Sequence, residues 1–219
     1  MAPYLDKRIR YEGEMPPQAT DDWPFIYMKE RGVPGVYLLM IAAVLAISYS
    51  MMKRQKIEVR MISPQFFLLG AAFMLIETKA VTQLALTFGT TWLVNAVVIS
   101  VIMVLILLAN LTVWKPRLSE LNLSRIDYIL LFITLALPLS GIWVLIPIFF
   151  SSRIFARAFS FSHHPSRDLA HNLLGVMFGG CLEYLSLKTG IASLSYLAIG
   201  LYALAYLDEI FGFEYERWW

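Results

Sequence analysis

Glu77 and Lys79 interrupt the apolar run from Gln65 to Phe88. Ionisable groups in such a run are costly enough that function is the first reading of them, at roughly 2.5–3.5 kcal/mol for a charge at the centre of a spanning helix. Two positions along a helix subtend roughly 200°, so Glu77 and Lys79 cannot pair with each other, and each needs a group on another helix or a watery cavity. Gln83, one turn beyond Lys79, adds an amide to the same face. A second constellation, His171, Gly175, Gly179 and Glu183, repeats every four residues and lines one stripe of a helix. Its two glycines permit close approach of a neighbouring backbone, which sets Glu183 at a tight contact and makes it the expected partner of Lys79. Asn95, Asn110 and Asn172 are candidates for interhelical hydrogen bonds, each worth about 0.6–2 kcal/mol in a membrane. Such a network has two uses: a proton or ion path, or a structural lock between helices. The lock is the plainer reading.

Other reactive side chains suggest less. His163, His164 and His171 are able to ligate haem or chlorophyll, but their loop and helix-end positions suit solvated or headgroup-facing rings better. Asp21 and Asp22 precede Trp23-Pro24, an arrangement that fits a turn or cap anchoring an arm rather than an acid–base pair. The one cysteine, Cys181, has no partner for a disulfide or a thiolate metal cluster, and no metal site is expected. The chain has no glycine-rich phosphate loop, nucleophile elbow, zinc spacing or dinucleotide fingerprint. Enzymatic activity of the chain on its own is therefore not expected.

The elements that position these groups follow from hydropathy. The 219 residues are 58% hydrophobic and 16% charged, with a mean hydropathy of +0.64, too apolar for an ordinary soluble domain of this length. The expected fold is all-α, a polytopic transmembrane bundle of about six spans. Residues 1–33 form a polar arm with Pro16, Pro17 and Pro24; residues 34–208 form the membrane domain; residues 209–219 form an aromatic tail. The spans are expected at about Gly35–Met52, Gln65–Phe88, Trp92–Trp114, Asp127–Ser152, Leu169–Leu187 and Ile191–Leu207. Gly89-Thr90-Thr91 is short enough to force an antiparallel hairpin between the second and third. Asp127–Ser152 has length for one crossing, kinked at Pro138, Gly141 and Pro147. The arm lacks the apolar core of a cleavable signal, so the first span is expected to serve as its own insertion signal.

A net charge of +2 and short basic clusters beside apolar runs point to membrane lipids as partners and away from nucleic acid. Six spans place Lys7, Arg8, Arg10, Lys29, Arg31, Arg153, Arg157, Arg167 and Arg217 on one side of the membrane. They place Lys53, Arg54, Lys56, Arg60, Lys115, Arg117, Arg125 and Lys188 on the other. That near-balance barely orients the chain; the expectation is a bacterial cytoplasmic membrane with the N-terminus cytoplasmic.

Several words of the sequence resemble one family. Ala19-Thr20-Asp21-Asp22-Trp23-Pro24-Phe25, Phe67–Lys79 and Phe88–Asn95 are similar to the C-terminal membrane region of bacterial spermidine-synthase-like membrane proteins. So are Asn172–Gly175 and Gly179–Ser186, and the likeness runs from Ala19 to about Leu207. In that family the region follows a methyltransferase-like domain that binds S-adenosylmethionine or its decarboxylated form, and no such domain occurs in these residues. The stretch between the third and fifth spans is also shorter than the family's. The resemblance implies a membrane module recruited to a larger assembly, or one half of a split enzyme.

Three functions are thus open: a non-catalytic scaffold or accessory subunit of a membrane complex, a small proton-coupled transporter using Glu77, Lys79 and Glu183, and the membrane half of a split S-adenosylmethionine-dependent enzyme. The first is preferred. Its partners would be other membrane subunits or a soluble partner domain. No resident cofactor is expected, although helix grooves can hold bound lipid, quinone or pigment. The tail residues Phe211, Phe213, Tyr215, Trp218 and Trp219 suit a seal against headgroups or a partner.

Overall fold

The computed structural model describes residues 17–54, 63–114 and 123–215, and among them every regular element is helical. Eight helices follow in order: α1 (Gly35–Arg54), α2 (Pro64–Phe88), α3 (Trp92–Trp114), α4 (Leu123–Ala136), α5 (Ile146–Ser160), α6 (Pro165–Leu182), the short α7 (Ser186–Thr189) and α8 (Ser193–Tyr215). Stretches of 3₁₀ helix at Gly141–Leu145 and Glu183–Leu185 lead into α5 and α7. Three segments, Pro64–Phe88, Trp92–Val113 and Gly141–Ser160, are long and apolar enough to cross a membrane. Prolines sit in the first turn of α2, α5 and α6, where the missing N–H costs nothing. The expected tail boundary at 209 is not a break, since α8 continues to Tyr215; the side chains of 211–219, the arm before residue 17 and the loops holding Lys56, Arg60, Lys115 and Arg117 lie outside the described residues.

α2 is the centre of the bundle and packs against α6 on one side and α8 on the other. It runs parallel to α6, because successive residues of the α6 stripe meet successive residues of α2. His171 Nδ1 accepts from the Ser63 N–H at 3.0 Å, and Glu183 Oε2 accepts from Thr78 Oγ1 at 2.7 Å. Between them, a methyl on Gly175 would overlap the Phe67 carbonyl, and one on Gly179 the Ala71 carbonyl. The approach is mutual, since a methyl on Gly70 would strike the Asn172 backbone, while Asn172 Nδ2 donates to the Phe66 carbonyl at 3.1 Å. Small side chains thus let two backbones touch, which is how helices gain van der Waals contact without a hydrophobic drive between them. Further in, Leu69, Leu75, Ile76, Ala80 and Leu84 of α2 join Tyr128, Leu131, Ile148, Leu194 and Tyr202 in the core.

The expectation of one kinked crossing over Asp127–Ser152 is overturned. α4 and α5 lie side by side, and the chain reverses between them. Asp127, near the start of α4, receives Arg153 Nε at 3.0 Å and lies 3.1 Å from Arg157 NH2, both in the second half of α5. Pro138 ends α4 by withholding an N–H and by driving Leu137 out of helical geometry. Gly141, at φ +56°, then takes a backbone shape that a side chain would resist. With only 14 residues, α4 extends roughly 21 Å. A length argument therefore favoured one span where the prolines and glycine build a turn.

The two ends of the bundle differ. At the end where α2, α4 and α6 begin, Ser124 Oγ and Gln65 Nε2 both donate to Glu209, at 2.7 and 3.4 Å. At the opposite end the arm folds onto the α7–α8 junction. α1 stands apart: no described side chain of it is buried, and its recorded aromatic contact is Tyr37 stacked on Tyr184 at 4.8 Å.

Two sets of substitutions test this packing. Gly179→Ala should lower the unfolding midpoint in detergent by an amount equivalent to about 1–3 kcal/mol, whereas Gly180→Ala, whose added methyl meets nothing, should be neutral or slightly stabilising. Equal responses would argue against the α2–α6 contact. Asp127→Ala should be costlier than Arg153→Ala, because it strands the buried Arg157 guanidinium and the largely covered one of Arg153, a loss on the order of 3–5 kcal/mol. An unchanged midpoint for Asp127→Ala would refute the hairpin pairing.

Candidate functional site

Thr78 and Lys79 are neighbours on α2 and so point about 100° apart. Thr78 faces α6 and holds Glu183; Lys79 faces α8 and donates to Ser195 Oγ at 2.5 Å. The expected Lys79–Glu183 ion pair is not among the ion pairs of the described residues. The physical reason is rotation: once the glycines dock α6 against Gly70 and Ala71, residue 78 rather than 79 lies on that seam. Each charged group then meets a neutral hydroxyl. Thr78 donates to the Glu183 carboxylate and Lys79 donates to Ser195, so both bonds are charge-assisted without cancelling either charge.

Gln83 lies on the Lys79 face, as their spacing requires. The two line a cavity of about 10 Å³ together with Ile76, Thr134, Leu135, Leu137, Leu139, Val144 and Pro147. That space is about what one water needs, and the buried Gln83 Oε1 lacks a protein partner among the described residues. One water held there would give Gln83 Oε1 the donor it lacks. The turn after α4 closes the cavity, so the break at Pro138 shapes this polar pocket as well as reversing the chain.

Glu77 is half-buried and makes no hydrogen bond or ion pair among the described residues. Asn95 likewise makes no side-chain hydrogen bond among them, and Asn110 Nδ2 donates to the Ile106 carbonyl of its own helix at 2.8 Å. Of the three asparagines, Asn172 bridges helices. The polar residues singled out from sequence are therefore divided among two helix seams and, at Glu77 and Asn95, positions without a partner among the described residues, rather than assembled into one network.

At the arm, Asp22 and Trp23 act together. Trp23 is 1% exposed, and its Nε1 donates to the Leu187 carbonyl at 2.7 Å. The Asp22 carbonyl accepts from Ile191 N–H at 2.8 Å, and its carboxylate from Ala192 N–H at 2.7 Å. That carboxylate fills the space where Gly190, at φ +94°, has no side chain. Arg31 lies over the Trp23 ring at 5.2 Å. Asp21 is exposed and makes no hydrogen bond among the described residues. Asp22 and Trp23 thus terminate the α6–α7 segment and fix its turn into α8.

Sequence reasoning missed the Asp127–Arg153–Arg157 cluster, the most buried charge in the described residues. Asp127 side-chain exposure is 3%, and Arg153 NH1 also reaches Thr112 Oγ1 at 2.8 Å. A signal was present in the Arg153 and Arg157 spacing, which puts both on one helical face, but one crossing from Asp127 to Ser152 placed acid and bases at opposite ends. Ser195 was missed because a serine in an apolar helix is an unremarkable residue until a lysine points at it.

A double-mutant cycle separates the two seams. Lys79→Met and Ser195→Ala should be non-additive by about 0.5–2 kcal/mol in unfolding free energy, whereas Lys79→Met and Glu183→Gln should add. Coupling confined to the second pair would restore the ion pair expected from sequence.

No family model, curated protein or solved structure matches this chain.

Proposed function

We propose that the chain is a non-catalytic, multi-pass scaffold or accessory subunit of a larger assembly in a bacterial cytoplasmic membrane. Its helices α1, α2, α3, α5, α6 and α8, with the shorter α4, are the membrane-embedded segments in this reading. The observation that carries it is α1. A helix of 20 residues, apolar through most of its length, contributes no described side chain to the core, and Leu39 is 71% exposed. Such a helix is stable in lipid but is not needed to close this bundle, which leaves it free to pack against a partner through van der Waals contact. The division of Lys79 and Glu183 between two structural seams supports the same reading, because both hydrogen bonds tie helices together. The likeness to the membrane region of spermidine-synthase-like proteins, carried by the words around Trp23, Glu77 and Glu183, suits a module that serves a separate catalytic partner or a larger assembly. Lipid, quinone or pigment would lie in grooves between this chain and such a partner.

Glu77 favours a second reading, a proton-coupled module, since a half-buried carboxylate without a partner among the described residues is suited to binding a proton.

Photo-crosslinking from α1 tests the proposal. With a benzophenone side chain in place of Leu39, gentle detergent extraction from native membrane should recover the chain covalently joined to one defined polypeptide. Adducts with lipid alone, and elution of the unmodified chain by itself, would reject the subunit reading in favour of the proton-coupled one. Recovery with only a soluble glycine-rich α/β protein would point instead to a split S-adenosylmethionine-dependent enzyme.

A further inference from the structure

The α4–α5 hairpin changes where positive charge lies. α3, α5 and α8 end where α2, α4 and α6 begin, as the Ser63–His171, Ser124–Glu209 and Arg153–Thr112 hydrogen bonds require. The start of α1 is fixed at the other end by Tyr37 against Tyr184, so its 20 residues run from there towards the end where α2 begins. Lys53, Arg54, Arg125, Arg153, Arg157 and Arg167 therefore belong to one end, against Lys29, Arg31 and Lys188 at the other among the described residues. In sequence, Lys56, Arg60, Lys115 and Arg117 fall in the connections from α1 to α2 and from α3 to α4, between helix ends of that same basic end, whereas Lys7, Arg8 and Arg10 precede the start of α1 at the other end, so the excess stays with the first. The near-balance expected from six crossings came from assigning Arg153, Arg157 and Arg167 to the opposite side.

Short loops rich in Lys and Arg are retained on the cytoplasmic side of a membrane, and anionic headgroups of the cytoplasmic leaflet attract them. We infer that the basic end is the surface that meets the anionic cytoplasmic leaflet. The Asp22–Trp23 latch, the Gly89–Thr91 turn and Lys188 then lie on the outer face. This reverses the cytoplasmic N-terminus expected from sequence and rests on the membrane-spanning reading above. It also gives the latch a position: it holds the end of α6 to the start of α8 on the side away from the cytoplasm, with Trp92 and Trp143, 81% and 63% exposed, at the same end of the bundle. Exposed tryptophans at headgroup depth fit that boundary.

The test is labelling with a membrane-impermeant maleimide in a Cys181→Ala background. Thr90→Cys and Ser166→Cys are both at exposed positions, at opposite ends of the bundle. In intact bacterial cells Thr90→Cys should label nearly completely. Ser166→Cys should rise at least tenfold once the membrane is opened. Gln18→Cys and His163→Cys repeat the comparison at independent exposed positions, should either first variant fail to accumulate. The reverse pattern, or equal labelling from both faces, overturns the orientation while leaving the membrane reading intact. Release of the unlabelled chain from membranes by an alkaline wash would overturn both.

Discussion

The close crossing of α2 and α6 is the constraint on which the rest of this structure depends. Where two backbones touch, rotation about either helix axis is no longer free, because Gly175 and Gly179 sit on carbonyls of α2 and Gly70 on the backbone of α6. That fixed rotation decides which α2 residue faces which neighbour. Thr78 goes to Glu183, Lys79 to Ser195 and Gln83 to the small cavity, with no freedom left for the alternative pairing of Lys79 with Glu183. The placement of charge is thus a consequence of packing small residues, rather than a cause of it.

A second consequence concerns the burial of charge. The cluster of Asp127, Arg153 and Arg157 holds two cations to one anion near the end of the bundle, with Thr112 and Phe149 completing the surroundings of Arg153. In a low-dielectric interior this arrangement contributes little net stability compared with apolar packing of the same volume. Its value lies in specifying register. Only one alignment of the α4–α5 hairpin brings an acid in the first helix against bases four residues apart in the second. The apolar remainder of both helices would slide at little cost.

The proposed function rests on the same division. The helices that carry the polar seams form a closed set around α2, whereas α1 contributes Tyr37 to the contact with Tyr184 and has no buried side chain among the described residues. In the proposed reading, that closed set holds itself together and α1 is the part offered to a partner. Glu77 is a carboxylate that this packing leaves without a partner among the described residues.

Much of this was legible in the residues. Runs of apolar side chains determined the all-α class and the bounds of α2 and α3, since a helix that avoids water and satisfies its own backbone needs only length and hydropathy. Four-residue spacing determined that His171, Gly175, Gly179 and Glu183 share a face, because periodicity is a local property of the helix. The turn at Asp22–Trp23 was signalled by its own residue types. What only the tertiary structure decided was everything that depends on which helix lies beside which. Whether Asp127–Ser152 crosses once or folds back, whether Lys79 meets Glu183 or Ser195, and which end of the bundle is basic all turn on contacts between residues distant in the chain. Local pattern carries no record of them: proline at 138 and glycine at 141 serve equally well as a kink or a reversal, until Asp127 is found 3.0 Å from Arg153.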